Sequence, residues 1–322
     1  MASLVTLSPR VVFISPARGP EFPFDLSRKD SMQRTRLKVH GVHLQIEDQL
    51  GPKDPLVLLH FGGSNLRMWD AAIPEFADRY RCITLDLRGH GCSDAPPTGY
   101  TIDDMARDVA GVIEQLEIAP SHILGSSIGA EVALSLAADH PTSVRSIVLD
   151  GAFHSEFGPY GFREESTPAE DEEVQARLKS LRDTEEPTFE TREQAMQELS
   201  ELYRQHKLWN DAMEAMIRYG IVGDEDGRLV GAWRKWAKDA YMHHYFEIRF
   251  EEYYRRLCCP AILLTGETRA SDPSFYDNME KLCALAENCQ LIETPGAMHP
   301  FGWLLNPKPM VDAAKTFMDS IP

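Results

Sequence analysis

A serine within a tight glycine turn is the feature of this sequence that points most clearly to chemistry. The segment Gly125-Ser126-Ser127-Ile128-Gly129 follows the apolar run Ser121 to Leu124 and precedes a helix-like stretch. A G-x-S-x-G motif between a strand and a helix holds its serine on a strained turn and exposes the hydroxyl at the sheet edge. We therefore predict that Ser127 is the nucleophile of an acyl-transfer reaction.

A serine hydroxyl needs a base within hydrogen-bond reach, because it is barely ionised at neutral pH. The chain has 11 histidines. His299 lies between Gly296 and Pro300 in a loop that follows the last predicted strand, Gln290 to Thr294. That loop should end at the same sheet edge as Ser127. We predict that His299 is the general base.

Three carboxylates compete for the role of the acid that orients the imidazole. Asp272 is preferred, because it lies on a loop that leaves the predicted strand Pro260 to Thr265. Glu267 lies on the same loop, and Asp150 ends the neighbouring strand, so both remain alternatives. Asp272 precedes Pro273, which also fits a helix N-cap.

Two backbone N–H groups should stabilise the oxyanion of the reaction. One is that of Ile128, the residue after the nucleophile. The second should come from the loop at Phe61, Gly62 and Gly63, where glycine lets the backbone approach a substrate. We predict Gly62 as this second donor.

Strand-like and helix-like segments alternate along most of the chain. A hairpin around Gly41 comes first, and the short apolar run Pro55 to Phe61 suits a strand that is buried on both faces. Such alternation predicts an α/β fold with a mostly parallel, doubly wound sheet.

The alternation stops over a long middle segment, which suggests an inserted and mainly helical cap. We predict an N-terminal extension at 1–35, a core formed by 36–152 and 257–322, and the cap at 153–256, expected to act as a lid. Aromatic residues of the cap that suggest an apolar or aromatic acyl group are Trp209, Trp233, Trp236 and Tyr241.

Composition narrows the possible partners and the compartment. The formal net charge of -17 disfavours nucleic acid, and no apolar run is long enough to span a membrane. None of the six cysteines shows C-x-x-C spacing, so we expect reduced cysteines in a cytoplasmic protein. The expected partner is a small-molecule substrate, with no cofactor and no metal ion.

Five stretches in order resemble the α/β-hydrolase superfamily, in the branch that carries an inserted cap. They are VLLHFGGSNLRMWD, ITLDLRGHGCSD, HILGSSIGAEVAL, AILLTGE and PGAMHPF. The resemblance implies the triad and cap described above. Two positions depart from the family pattern: Phe61 stands where glycine is usual, and Arg269 occupies the usual position of the acid.

The predicted activity is hydrolysis of a small to medium carboxylic ester or lactone through an acyl-enzyme. Two alternatives remain: hydrolysis of a carbon-carbon bond in a diketone with the same triad, and small-molecule sensing by a receptor-like protein that retains the triad. A serine nucleophile argues against the relatives that use aspartate, namely haloalkane dehalogenases and epoxide hydrolases.

Overall fold

The computed structural model describes residues 32–163, 166–224 and 226–322. Within these residues the main feature is an eight-stranded sheet. The strands are β1 Gln33–Val39, β2 Val42–Asp48, β3 Asp54–Leu59, β4 Tyr80–Leu85, β5 Ser121–Ser126, β6 Val144–Asp150, β7 Ser155–Phe157, β8 Gly161–Arg163, β9 Thr188–Phe189, β10 Val222–Gly223, β11 Leu229–Val230, β12 Ala261–Thr265 and β13 Cys289–Glu293. The order of strands in the large sheet is β1-β2-β4-β3-β5-β6-β12-β13.

The large sheet is antiparallel only at one edge. β1 and β2 form the predicted hairpin, and β2 also pairs antiparallel with β4. All other pairs in this sheet are parallel. The prediction of a mostly parallel sheet is therefore confirmed.

Helices connect and cover the strands. The α-helices are α1 Ile73–Phe76, α2 Ile102–Gln115, α3 Ile128–Asp139, α4 Glu172–Asp183, α5 Arg192–Gln205, α6 Asp211–Gly220, α7 Lys235–Tyr245, α8 Phe250–Tyr254, α9 Pro273–Cys283, α10 Gly302–Leu305 and α11 Lys308–Asp319. Short 3-10 helices lie at Leu66–Trp69 and Pro141–Ser143.

The two faces of the sheet have separate apolar cores because side chains alternate along each strand. Val57 and Leu59 of β3 pack in the core that contains α2 and α3, and Leu56 and Leu58 pack in the core that contains α1 and α11. All four side chains are fully buried. This explains why β3 is a continuous apolar run in the sequence.

The segment between β6 and β12 holds α4 to α8 and the short strands β7 to β11. It contacts loops of the core directly. The Tyr219 hydroxyl donates to the Asp86 carboxylate over 2.8 Å, and Asn65 Nδ2 donates to the Met216 carbonyl oxygen over 2.9 Å. The segment predicted as an insertion is therefore mainly helical and is docked on the core.

The first strand begins earlier than the sequence suggested. β1 starts at Gln33, inside the segment 1–35 predicted as an extension, because Gln33 pairs with Asp48 across the hairpin. The rest of the predicted extension, 1–31, lies outside the described residues. Among the helices described, none has both the length and the apolar character that a membrane crossing requires.

One pair of cysteines corrects the expectation that all six are reduced. Cys283 ends α9 and Cys289 begins β13, which brings their Cα atoms within 5.4 Å, and the two form a disulfide. The sequence pattern missed the pair because their spacing is not that of a C-x-x-C motif. The other four cysteines are free. The cytoplasmic location stays a prediction.

Candidate active site

Ser127, the predicted nucleophile, lies on a strained turn between β5 and α3. Its backbone has φ 53° and ψ -119°, in a region that residues with a Cβ rarely adopt. The Ser127 N–H donates to the Asp150 carbonyl oxygen over 2.6 Å, and the Ser127 carbonyl oxygen accepts from Ala130 N–H over 2.8 Å. These bonds hold the serine in place at the N-terminus of α3.

Close backbone contacts explain the glycines on either side of this serine. A Cβ at Gly125 would overlap the backbone of Gly129, and a Cβ at Gly129 would overlap the carbonyl group of Leu59 in β3. The turn can therefore pack against the sheet only with hydrogen at both positions.

His299, the predicted base, has its acid partner on β6. Its Nδ1–H donates to Asp150 Oδ1 over 2.7 Å. The Asp150 side chain is 3% exposed and the His299 side chain is 25% exposed. The backbone carbonyl oxygen of Asp150 also accepts from the Ser127 N–H. Asp150 therefore contacts both the serine turn and His299.

The second oxygen of Asp150 is held by two further donors that the sequence reading did not identify. Ser126 Oγ–H donates to Asp150 Oδ2 over 2.8 Å, and Trp303 Nε1–H donates to the same oxygen over 2.9 Å. Ser126 and Trp303 are both fully buried. The carboxylate therefore has its orientation fixed by donors on both oxygens.

Asp272, the acid preferred from the sequence, does not pair with His299. It is the N-cap of α9, and its Oδ1 accepts from Phe275 N–H over 3.1 Å. Glu267, the other loop candidate, accepts from Ser271 Oγ–H over 2.7 Å. The preference for Asp272 is therefore corrected. The Asp272-Pro273 pair begins a helix here. The strand that ends at Asp150, β6, lies between β5 and β12 in the sheet.

Gly62 and Ile128, the predicted oxyanion donors, lie against each other. A Cβ at Gly62 would stand 2.5 Å from Ile128 Cδ1. Within the described residues neither N–H has an acceptor. Phe61 differs, because its N–H points at Met68 Sδ over 3.4 Å and its ring packs on Phe301 at a centroid distance of 5.6 Å. The geometry favours Gly62 over Phe61 as a free donor.

Trp233 of the inserted segment covers this glycine loop. Its ring carbons would lie 3.0 Å from a Cβ at Gly62. The indole also stacks on His90, with centroids 4.9 Å apart and planes at 25°. A backbone bridge between Trp233 and His90 fixes this arrangement.

His60 supports the same loop from beneath. Its Nδ1–H donates to the Phe61 carbonyl oxygen over 2.8 Å, and its Nε2 accepts from Leu87 N–H over 3.0 Å. Burial lowers the pKa of His60 to about 4, so the ring is neutral at neutral pH. This neutral state is the one that can both donate and accept.

A buried carboxyl group lies one helical turn beyond the serine. Glu131 of α3 accepts from the Tyr241 hydroxyl of α7 over 2.7 Å. Burial raises the pKa of Glu131 to about 8, so the group is mostly protonated at neutral pH. The contact joins the nucleophile helix to the inserted segment.

Two other cap aromatics singled out in the sequence, Trp209 and Trp236, contact residues outside the serine turn. Trp209 packs under Arg204, whose guanidinium carbon is 3.9 Å from the ring centroid. Trp236 is 39% exposed and its Nε1–H donates to the Pro96 carbonyl oxygen. Trp233, by contrast, lies against Gly62 of the glycine loop.

The chain was compared with known protein families and with curated proteins. The family model described as alpha/beta hydrolase fold matches residues 54–304, which is most of the chain. A 2-(acetamidomethylene)succinate hydrolase of Mesorhizobium japonicum is 38% identical over 107 residues, covering 33% of this chain and 37% of that protein. A 2-hydroxymuconate semialdehyde hydrolase of a Pseudomonas species is 34% identical over 116 residues, covering 35% and 41%. The chain thus spans less than half the length of these curated relatives.

Solved structures extend the likeness over nearly the whole chain. The crystal structure of E-2-(acetamidomethylene)succinate hydrolase matches with a TM-score of 0.70 and 23% identity, covering 90% of this chain and 100% of that one. A thermophilic esterase from Thermogutta terrifontis matches with a TM-score of 0.65 and 21% identity, covering 90% and 99%. At these identities the likeness establishes the fold.

Proposed function

Because the chain belongs to the α/β-hydrolase fold family, we propose that it is a serine hydrolase that cleaves carboxylic esters or lactones through an acyl-enzyme. The observation that carries this proposal is the His299 Nδ1 to Asp150 Oδ1 hydrogen bond next to the strained Ser127 turn. Asp150 thereby holds the tautomer in which His299 Nε2 is free to take a proton.

Acylation begins when Ser127 Oγ attacks the substrate carbonyl carbon and passes its proton to His299 Nε2. The new bond joins Oγ to that carbon, and the electron pair of the carbonyl moves to its oxygen. The N–H groups of Gly62 and Ile128, which lack acceptors in the described structure, stabilise this oxyanion.

The tetrahedral intermediate then collapses and the bond to the leaving oxygen breaks. His299 Nε2 gives its proton to that oxygen, so an alcohol departs and the acyl group stays on Ser127. Water next attacks the acyl carbon while His299 takes its proton. The second collapse releases a carboxylic acid and returns the proton to Ser127.

The inserted segment, 153–256, is proposed to act as a lid over this chemistry. Support comes from Trp233, which lies against Gly62, and from Tyr241, which is bonded to Glu131 on the nucleophile helix. A lid in these positions excludes water from the oxyanion donors and strengthens their hydrogen bonds.

A second candidate is hydrolysis of a carbon-carbon bond next to a ketone. It is favoured by the match to 2-hydroxymuconate semialdehyde hydrolase. Esters are preferred because their leaving oxygen needs only a proton from His299, whereas a carbon leaving group must also be stabilised by conjugation within the substrate.

Labelling with a fluorophosphonate probe tests the proposed nucleophile. The wild-type chain should label and Ser127→Ala should not, whereas Ser126→Ala should still label, because it keeps the nucleophile and loses only one donor to Asp150. Absence of labelling in folded wild-type protein would refute the hydrolase proposal.

Turnover of two substrates separates the two candidate reactions. A p-nitrophenyl ester and a conjugated diketone of the ring-fission type should be compared by kcat/KM. The ester proposal expects turnover of the ester to be the faster. A diketone kcat/KM about 100-fold higher would establish the second candidate instead.

A further inference from the structure

A row of aromatic rings begins at His299 and runs outward from it. The ring of Phe153, three residues after Asp150, packs edge-on against His299 with centroids 5.3 Å apart. Phe153 in turn packs edge-on against Phe275 of α9 at 5.8 Å. The proposed catalytic base thus has an aromatic surface as its neighbour.

The row continues to the protein surface. His154 lies 4.1 Å from Phe162 and 5.5 Å from Phe275, measured between ring centroids. The rings of Phe162 and Phe275 are nearly parallel, with planes at 18° and centroids 6.3 Å apart. Phe162 is 48% exposed. Burial of apolar surface stabilises the fold only in proportion to the area removed from water, so a half-exposed Phe162 contributes little to stability. The position of this ring at the surface therefore needs an explanation other than packing of the core.

Bonds outside the row hold these rings in position. Asn278 Nδ2 of α9 donates to the Tyr160 carbonyl oxygen over 3.0 Å, two residues before Phe162. Arg163, the next residue, forms ion pairs with Glu156 at 2.7 Å and Asp171 at 2.8 Å. These contacts from both sides fix the strand that carries Phe162.

Asp272 fixes the opposite ring. As the N-cap of α9 it binds the N–H of Phe275. The carboxylate that the sequence suggested for the triad therefore positions a ring of this row.

His154 contributes a neutral ring. Its Nδ1 lies 3.3 Å from the Ser155 carbonyl oxygen. Burial lowers the pKa of His154 to about 4. At neutral pH the ring therefore adds no positive charge to the aromatic surface.

The chemistry of the proposed reaction decides which half of a substrate meets this row. His299 must protonate the leaving oxygen, so the alcohol part of an ester has to lie next to His299. Aromatic rings bind one another edge-to-face or offset-parallel, with centroids about 4.5 to 7 Å apart. Both arrangements already occur between Phe153, Phe275 and Phe162.

We propose that Phe153, His154, Phe162 and Phe275 form a leaving-group subsite for the aromatic alcohol part of an ester. The inference rests on the proposed ester hydrolysis. It assigns the aromatic preference to the alcohol side, whereas the tryptophans of the inserted segment suggested an aromatic acyl group.

A pair of matched substrates tests the subsite. Benzyl acetate and cyclohexylmethyl acetate share their acyl group and carbon count, and both release primary alcohols. The ratio of their kcat/KM values isolates recognition of the ring. The wild type should prefer the benzyl ester, and Phe162→Ala should lower the ratio about fivefold, as expected for the loss of one aromatic contact.

Two further variants separate recognition from general damage. Phe162→Tyr keeps the ring and should retain the wild-type ratio. Trp236→Ala removes another exposed aromatic side chain, in α7, and should also retain it. Trp236→Ala, which changes no residue of the proposed subsite, should also hydrolyse methyl acetate at the wild-type rate. An unchanged ratio in Phe162→Ala would overturn the subsite.

Binding of the product alcohols distinguishes failure of the subsite from failure of the proposed function. If the wild type hydrolyses no ester, ester hydrolysis fails, and the subsite is judged by thermal stabilisation with benzyl alcohol against cyclohexylmethanol. Stronger stabilisation by benzyl alcohol in the wild type, reduced in Phe162→Ala, supports an aromatic site. Equal stabilisation by the two alcohols refutes it.

Discussion

His299 Nδ1 donates to Asp150 Oδ1 over 2.7 Å, and Asp150 is the last residue of β6. The acid is thus on the strand next to the one that leads into Ser127, since Ser126 pairs with Asp150 in the sheet. Acid and serine turn are joined through adjacent strands and need no long loop to meet. This makes Asp150 our proposed triad acid.

Substitution of Asp150 and of Asp272 by asparagine should affect kcat very differently. Asp150→Asn should lower kcat by about 10² to 10⁴, because an amide nitrogen at Oδ1 cannot accept from His299 and the wrong tautomer results. Asp272→Asn should stay within about threefold of wild type, since asparagine also caps helices well. Steady-state kinetics on one ester would show the difference, and the reverse ranking would restore Asp272.

Asp272→Ala completes this comparison. It removes the cap of α9 and should cost about 1 kcal/mol in the free energy of unfolding, measured in urea. Its kcat for a methyl ester should change little, because the cap acts on Phe275 and not on His299.

A methyl group at Gly62 should damage the oxyanion site. In Gly62→Ala the new Cβ would stand 2.5 Å from Ile128 Cδ1 and 3.0 Å from the Trp233 ring, so the loop must shift. We expect kcat to fall by at least about tenfold. Complete loss of one oxyanion donor typically lowers kcat by about 10² to 10³. Gly231→Ala is the control, because nothing lies within 4 Å of its added Cβ. Full activity of Gly62→Ala would argue against this loop as a donor.

Replacement of Glu131 by glutamine should change how stability depends on pH. Burial raises the pKa of Glu131 from its ordinary 4.5 to about 8 in the folded chain. Between these values the folded state holds the proton and the unfolded state has lost it. The stabilisation of the folded state by the protonated Glu131 is thus complete below about pH 4.5. It is lost as the pH rises toward 8, and the free energy of unfolding falls by at most about 1.4 kcal/mol per pH unit.

Glu131→Gln stays neutral and should therefore gain stability relative to wild type as the pH rises from about 5 to about 8. Urea unfolding of both proteins at several pH values measures this difference. Glu252→Gln, an exposed glutamate of α8, should give a constant difference. A flat difference for Glu131→Gln would mean that the buried carboxyl group titrates normally.

The Cys283–Cys289 disulfide should be visible in a thiol count. Denatured protein without reductant should show four thiols, those of Cys82, Cys92, Cys258 and Cys259, and reduction should release two more. Replacing both bonded cysteines by serine should lower the free energy of unfolding by about 2 kcal/mol, as a short closed loop predicts. Six thiols before reduction would contradict the disulfide.

The sequence predicted the sheet well, because its signals are local. Buried strands such as β3 and β12 are continuous apolar runs, and the Ser127 motif requires a strand before it and a helix after it. Even so, β1 begins inside the predicted extension, since Gln33 is polar and its pairing with Asp48 is set by the hairpin.

The acid was harder to predict, because several carboxylates end strands at the same edge. The decisive fact is the order of strands in space, which puts β6 next to β5. One signal was present in the sequence: Arg269 occupies the usual position of the acid, and Asp150 ends the strand beside the nucleophile. The donors to Asp150 were not identified from the sequence, because Ser126 lies 24 positions and Trp303 lies 153 positions away from it along the chain.

With the acid on β6, the loop at 266–272 has no part in the proposed proton transfers. Its Arg269 is exposed and pairs with Asp277 and Glu280 of α9. This surface is therefore suited to protein engineering: a fluorescent reporter or an immobilisation tag attached there would leave intact the hydrogen bonds that hold Ser127 and His299. Asp272 should be left unaltered in such a design, so that α9 keeps its first turn.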